Sequence, residues 1–283
     1  MKKLISLICV LAMVLALAAC GSSAPAAATE APAASTEAPA EDVSADKTFV
    51  VGICQLVQHP ALDAATQGFK DALTEALGDK VTFQEQNASG DSATCSLICN
   101  QFVSDEVDLI MANATASIQA AASATNTIPI LGTSITDYGV ALGVDNWTGV
   151  SGTNISGTSD LAPLDGQAAM IQELFPEAKT IGLLYCSGEP NSIFQADSME
   201  ALLTDMGYSV ERYTFADSND VSSVTANACS NSDVLYIPTD NTAASCTEAI
   251  NNVALRAGIP IVAGEEGLSS GCGVATLSIS YYD

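Results

Sequence analysis

The chain has 283 residues, enough for one large or two medium domains with a full core, and sets 33 acidic side chains against 8 basic ones. The formal charge of −25 repels phosphate backbones and argues against nucleic acid as a partner. With one histidine and nine cysteines that form no CxxC pair, neither a metal nor a cofactor is expected.

At the N-terminus Lys2 and Lys3 precede the apolar run Leu4 to Leu17, which is short for a bilayer span, and Leu17-Ala18-Ala19-Cys20 supplies the small residues of a cleavage site. This predicts a secretory signal over residues 1–19. Leu-Ala-Ala-Cys before Gly21 also resembles the bacterial lipoprotein signal, which implies a lipidated Cys20 as mature N-terminus and an extracytoplasmic protein anchored to the cell membrane. Cleavage would remove Lys2 and Lys3, leaving 8 − 2 = 6 basic residues against 33 acidic, a charge of −27. Residues 20–47 are Ala, Pro, Ser, Thr and acidic residues, too poor in large apolar side chains to order themselves, and read as a flexible tether.

From residue 48 onward strands and helices alternate. Residues 48–157 read as strand 49–54, helix 61–77, strand 81–86, a turn at 87–91, helix 92–104, strand 108–112, helix 115–125 and strand 128–132. Residues 151–160 are small and flexible and read as a crossover and hinge. Residues 158–275 read as helix 163–175 stopped by Pro176, strand 180–185, helix 191–206, strand 208–214, helix 219–229, strand 233–237, helix 241–257 and strand 260–263. A last apolar run, Val274 to Ile279, leads into 276–283, read as a crossing back toward the first lobe.

The halves repeat each other. Lys47-Thr48-Phe49-Val50-Val51-Gly52-Ile53-Cys54 is answered by Lys179-Thr180-Ile181-Gly182-Leu183-Leu184-Tyr185-Cys186, and Ile128-Pro129-Ile130 by Ile259-Pro260-Ile261. Short apolar runs between turn residues mark strands buried on both faces of a parallel sheet, joined by right-handed crossovers. The expected fold is α/β: two similar doubly wound parallel-sheet lobes joined by a hinge, with a cleft between them. The seven cysteines beyond Cys20 are odd in number and dispersed, and most are expected to be small buried hydrophobes.

In open parallel sheets a ligand sits beyond the carboxyl ends of the strands. Here that means residues 55–63, 113–117 and 132–137 in the first lobe, and 187–192, 238–242 and 264–267 in the second. The candidate ligand contacts are Gln55, His59, Thr115, Ser117, Thr133, Asp137, Asp160, Asn191, Ser192, Asp240, Asn241 and Glu265. These loops are short of basic residues but rich in hydroxyls and helix starts. A ligand carboxylate would therefore rest on a helix N-terminus, such as that at Thr115, and a ligand ammonium on Asp240 or Asp160. Several of these residues equally suit a cap: Thr115 and Ser117 for helix 115–125, Asp240 for helix 241–257. Glu265-Glu266 reads as a solvated helix start and Trp147 as loop packing.

His59-Pro60-Ala61-Leu62-Asp63, Gly90-Asp91, Ala114-Thr115-Ala116 with Gln119, Thr136-Asp137, Gly157-Thr158-Ser159-Asp160, Glu189 with Asn191-Ser192, and Asp240-Asn241-Thr242 occur together and in order. This set resembles the ABC-transporter substrate-binding lipoproteins of the tryptophan/tyrosine type over residues 48–283. The resemblance implies a type I periplasmic-binding-protein fold. It also implies capture of an amino acid, aromatic by analogy, or a similar small solute, and delivery to permease and ATPase subunits. Tyr138 stands where that family usually has Pro. The chain stops at Asp283 where members continue for a further helix and a return to lobe one, so a truncated C-terminus is expected. A ligand-sensing receptor without transport fits the same lobes. An exported enzyme is disfavoured, since there is no GxSxG, Walker or HExxH motif and any triad would have to use His59.

Overall fold

A computed structural model describes residues 47–283; the signal, Cys20 and nearly all of the tether lie outside the described residues. The first lobe runs β1 (Phe49–Gln55), α1 (Pro60–Leu77), β2 (Val81–Asn87), α2 (Ser92–Ser104), β3 (Leu109–Asn113), α3 (Thr115–Ala124), β4 (Ile130–Ile135), α4 (Tyr138–Leu142) and β5 (Ile155–Ser159). The second runs α5 (Leu164–Leu174), β6 (Thr180–Cys186), α6 (Pro190–Asp205), β7 (Ser209–Phe215), α7 (Val221–Asn231), β8 (Val234–Ile237), α8 (Asn241–Ser245), α9 (Thr247–Ala257), β9 (Ile261–Ala263), α10 (Glu266–Cys272) and β10 (Ala275–Thr276).

Each lobe holds one five-stranded parallel sheet. The strand orders are β2-β1-β3-β4-β5 and β10-β9-β8-β6-β7. Read from the opposite edge, the second order is the first one repeated, so β6 answers β1 and the internal sequence repeat is a structural repeat. The matched glycines show why it persists. A Cβ on Gly52 of β1 would lie 2.7 Å from the Phe102 ring of α2, and one on Gly182 of β6 would lie 2.5 Å from Ser232 and 2.7 Å from Leu235. Both strands need the bare backbone to let the covering layer approach.

The central strands are apolar throughout because helices cover both faces of each sheet. In the first, Cys54, Ile110, Ala112 and Ile130 pack with residues of α2 and α3, while Val51, Ile53 and Met111 face Phe69, Leu73 and Leu77 of α1. In the second, Leu184, Leu235, Ile237 and Ile261 form one layer and Ile181, Leu183, Tyr236 and Val262 the other. Fully burying one such Ile or Leu contributes about 1.5–3 kcal/mol. The seven described cysteines are free thiols, six of them buried. Burial pushes the Cys272 thiol up to about 12, as expected of an inert core residue.

The structure departs from the expected elements in four places. The stretch read only as a hinge contains β5, an edge strand in which Ile155 alone is buried, so no apolar run announces it. The five-residue α4 is too short for a periodic signal; Asp137 caps it through the Val140 N–H at 2.7 Å and Gly143 ends it at φ 64°. Helix 241–257 breaks at Cys246, which is non-helical at φ −120°, ψ 19°. The apolar run 274–279 forms only the two-residue β10 beside β9. Residues 277–283 then run as a strap along α1: the Tyr282 hydroxyl donates to Asp71 Oδ2 at 2.8 Å, and a Cβ built on Gly68 would meet the Tyr282 carbonyl.

Candidate functional site

The carboxyl ends of the strands of both sheets converge on one buried cavity. Its walls are His59, Ala61 and Leu62 at the start of α1, Ser134 and Thr136 at the end of β4, and Asp160 just past β5. From the second lobe come Asn191 in the first turn of α6, Thr239, Asp240, Asn241 and Ala244 around the start of α8, and Glu265 after β9. Tyr281 of the strap closes it. The cavity measures about 10 Å³, room for about one water. A solute the size of an amino acid therefore enters only when the lobes part. The lobes meet directly here, His59 Nε2 lying 3.2 Å from Asn241 Oδ1.

The Glu189 carboxylate organises the second-lobe wall by accepting from the Asn241 N–H and Nδ2, the Thr242 N–H and hydroxyl, and Asn191 Nδ2, all within 3.0 Å. Because Nδ2 of Asn241 is committed to Glu189, its Oδ1 faces His59 as an acceptor, and His59 Nε2 must carry the hydrogen. Burial lowers the His59 pKa from its ordinary value, which keeps the ring neutral and leaves Nδ1 a bare acceptor. That Nδ1, Asp160 Oδ1 and Ser134 Oγ are all buried without a protein partner, and all three residues line the cavity. Ser134 also holds φ at +56° where the β4–β5 register shifts, a conformation disfavoured for a residue with a Cβ. Orphaned polar atoms and local strain of this kind concentrate at functional sites.

The same wall also offers donors at the start of α1, next to His59. The 18-residue α1 begins with Pro60, which has no N–H, and its N-cap residue His59 makes no side-chain cap. The Ala61 and Leu62 N–H groups, both in the cavity wall, have no backbone acceptor among the described residues. An uncapped first turn favours an anion, and here it sits beside unpartnered side chains more than nine-tenths buried.

The lining contains three carboxyls and no Lys or Arg. Burial raises the pKa of Asp160, with the Tyr281 hydroxyl opposing, and that of Glu265; burial and the nearby Glu189 raise that of Asp240 well above the ordinary carboxylate range. The three differ in what remains free. Asp240 gives Oδ2 to the Cys186 N–H at 2.6 Å and Oδ1 to the Ala243 N–H at 2.7 Å. Glu265 caps α10 through the Gly267 and Leu268 N–H groups. Asp160 accepts from the Tyr281 hydroxyl at 2.8 Å on Oδ2, with the Thr136 hydroxyl and its own N–H as weaker influences, while Oδ1 has no partner within hydrogen-bond geometry.

Of the twelve expected contacts, His59, Asp160, Asn191, Asp240, Asn241 and Glu265 line this cavity. The other six stand behind it. Gln55 braces the start of α1, donating to Asp63 at 2.7 Å and accepting from Thr66 at 2.6 Å. Ser192 lies under Asn191, 3.3 Å from its Nδ2. Ser117 sits between the Cys54 and Cys95 thiols at 3.7 and 3.6 Å. Thr115 is buried in the first turn of α3, next to Ala116, which lines a separate inter-lobe space of about 340 Å³. Asp137 caps α4, and Thr133 falls on the other side of β4 from Ser134. The expected solvated Glu265 is instead buried, because its carboxylate is folded back onto its own helix start. Ser134, Thr136, Thr239 and Tyr281 also line the cavity and are not among the twelve expected residues. The first three lie inside loops marked from the sequence, and Tyr281 depends on the strap.

The family model for ABC transporter substrate binding proteins matches residues 50–283. The chain belongs to that family. Its members are extracytoplasmic solute-binding proteins, and among the described residues no helix is long and apolar enough to cross a membrane. A Clostridioides difficile protein named tyrosine-binding protein is 39% identical over 234 residues, 82% of this chain and 68% of that one. The crystal structure of a Streptococcus pneumoniae ABC domain in complex with L-Trp is 30% identical and superposes with a TM-score of 0.80, covering 84% of this chain and 81% of that one. The ligand-free, open structure of a Clostridium difficile substrate-binding protein with adhesive properties is 38% identical but has a TM-score of only 0.57, over 80% and 77% of the two chains. Of these two structures, the one closer in sequence gives the poorer superposition. The two-lobed architecture is the type I periplasmic-binding-protein fold.

Proposed function

We propose that this ABC substrate-binding protein captures a free α-amino acid, with an aromatic side chain preferred, between its lobes and hands it unaltered to a permease and ATPase pair. The observation that supports this best is the pairing of unsatisfied groups in one buried cavity. Asp160 Oδ1 and His59 Nδ1 are acceptors without donors, suited to an ammonium. The Ala61 and Leu62 N–H groups and the Ser134 hydroxyl are donors suited to a carboxylate. A zwitterion meets both, and its ammonium offsets the cost of three buried carboxyls in a wall without a cation. The preference for an aromatic side chain draws on the tyrosine-binding and L-Trp-bound relatives. A thermal-shift screen of the twenty amino acids, followed by calorimetry, is expected to give one or a few ligands that raise the melting temperature by linkage. Micromolar affinity corresponds to about −8 kcal/mol. Ligand recovered after long incubation is expected to be chemically unchanged; an altered product would make the protein an enzyme.

The same reading assigns the protein to the outer face of the cell membrane through lipid on Cys20. Wild type is expected to fractionate with membranes. Cys20→Ala is expected to release it or to leave an unprocessed precursor of higher mass. Equal membrane association of the two processed forms would remove Cys20 as the anchor.

A further inference from the structure

We infer that Tyr281 is a positioning residue for the ammonium end of the ligand, holding one oxygen of Asp160 so that the other stays directed at the bound solute. This deepens the amino-acid reading and rests on it. The Tyr281 hydroxyl donates to Asp160 Oδ2 at 2.8 Å, and Asp160 Oδ1 is buried and unpartnered in the same cavity that the Tyr281 side chain lines. A hydrogen bond to one oxygen restricts rotation of the carboxylate about its terminal torsion, which is otherwise broad.

Tyr281 is itself placed from both lobes. The Gln167 side-chain amide donates to the Leu277 carbonyl at 2.8 Å and to the Gly264 carbonyl, next to Glu265, at 3.1 Å. Beyond Tyr281, the Tyr282 hydroxyl is anchored on Asp71 of α1. One strap thus sets Asp160 in register with α1, whose first turn supplies the donors for the other end of the ligand. The titratable groups that face Asp160 are Tyr281, Tyr138 and Glu265; of these only Tyr281 bonds to it. Without the phenol the buried carboxyl loses the largest of the donors that hold its pKa down, the Thr136 hydroxyl and its own backbone N–H remaining, and so takes up a proton more readily; a protonated carboxyl no longer attracts an ammonium.

The test combines calorimetry with L-tyrosine and L-tryptophan on wild type, Tyr281→Phe, Asp160→Asn and the double variant, and a ¹³C NMR titration of the Asp160 carboxyl in the ligand-free proteins. Tyr281→Phe is expected to weaken binding about tenfold at pH 8 and more at pH 6, while adding little in the Asp160→Asn background. The Asp160 carboxyl is expected to titrate at higher pH in Tyr281→Phe than in wild type. Additive losses in the two variants, or an unchanged carboxyl titration, would overturn the assignment. If neither amino acid binds wild type, the reading of the ligand falls, and the carboxyl titration still decides whether Tyr281 governs Asp160.

Discussion

Asp160→Asn is expected to weaken amino-acid binding by about 2 kcal/mol or more, roughly thirtyfold, while raising the melting temperature of the ligand-free protein. Both effects follow from one buried carboxyl. Asn is nearly isosteric and can still accept from the Tyr281 hydroxyl, so the local packing survives and the lost quantity is the charge opposite the ligand ammonium. In the ligand-free state that charge is a burden. The Asp160 pKa is raised by burial. Below the ordinary carboxylate value folded and unfolded chains are both protonated and nothing is lost. As pH climbs past that value the unfolded chain ionises freely and the folded one resists, so stability falls until pH passes the folded pKa. The melting advantage of Asp160→Asn should therefore grow as pH rises above the ordinary carboxylate value and level off once pH passes the raised folded value, and melting curves against pH measure it. Wild-type affinity in Asp160→Asn would remove this residue from the ligand.

The opposition of binding and stability explains the composition of the site. Three buried carboxyls without a cation make a poor core and a good receptor for an ammonium, because the ligand supplies the missing charge. A site built the other way, with Asp160 permanently paired to an Arg, would be more stable and would have nothing left to offer. Asp240 and Glu265 differ on this point. Each spends both oxygens on backbone N–H groups of its own lobe, so they shape the wall and its potential while Asp160 keeps an oxygen free.

The two lobes were legible because parallel strands buried on both faces leave continuous apolar runs, and because Gly52 and Gly182 mark equivalent strands under equivalent steric demand. Elements that lean on neighbours left no such trace. β5 pairs along one side only and exposes Ser156 to Ser159, so its sequence looks like a flexible hinge. In the site, the rule of strand carboxyl ends found the loops but could not choose within them. At the end of β4 it does not separate Thr133 from Ser134, although neighbouring strand residues face opposite ways and it is Ser134, beside the register shift, that lines the cavity. Between Asp240 and Asp160 the sequence offers no choice, because the free oxygen on Asp160 shows only once its partner is known. That partner, Tyr281, lies 121 residues further along, a distance at which no local pattern speaks.

Gly68→Ala is expected to lower amino-acid affinity by tenfold or more although Gly68 does not touch the cavity. Judged by helix propensity alone, the change should help: Gly in the interior of an 18-residue helix is about 1 kcal/mol worse than Ala. The strap reverses that expectation. A Cβ at Gly68 would come within 1.9 Å of the Tyr282 carbonyl oxygen and 2.9 Å of its carbon, and both atoms are backbone, so no side-chain rotation relieves the contact. An ordinary contact requires the strap to move out by more than 1 Å, and Tyr281 moves with it, lengthening its 2.8 Å bond to Asp160 beyond hydrogen-bonding range. The core of the first lobe lies away from this contact, so secondary structure should be kept while ligand affinity falls and residues 277–283 become more open to proteolysis. Because Gly68→Ala and Tyr281→Phe strike the same bond from different ends, their combined loss should be much smaller than the sum of the two. Wild-type affinity in Gly68→Ala would mean that the strap can shift without consequence, and that the hold on Asp160 comes from the first lobe alone.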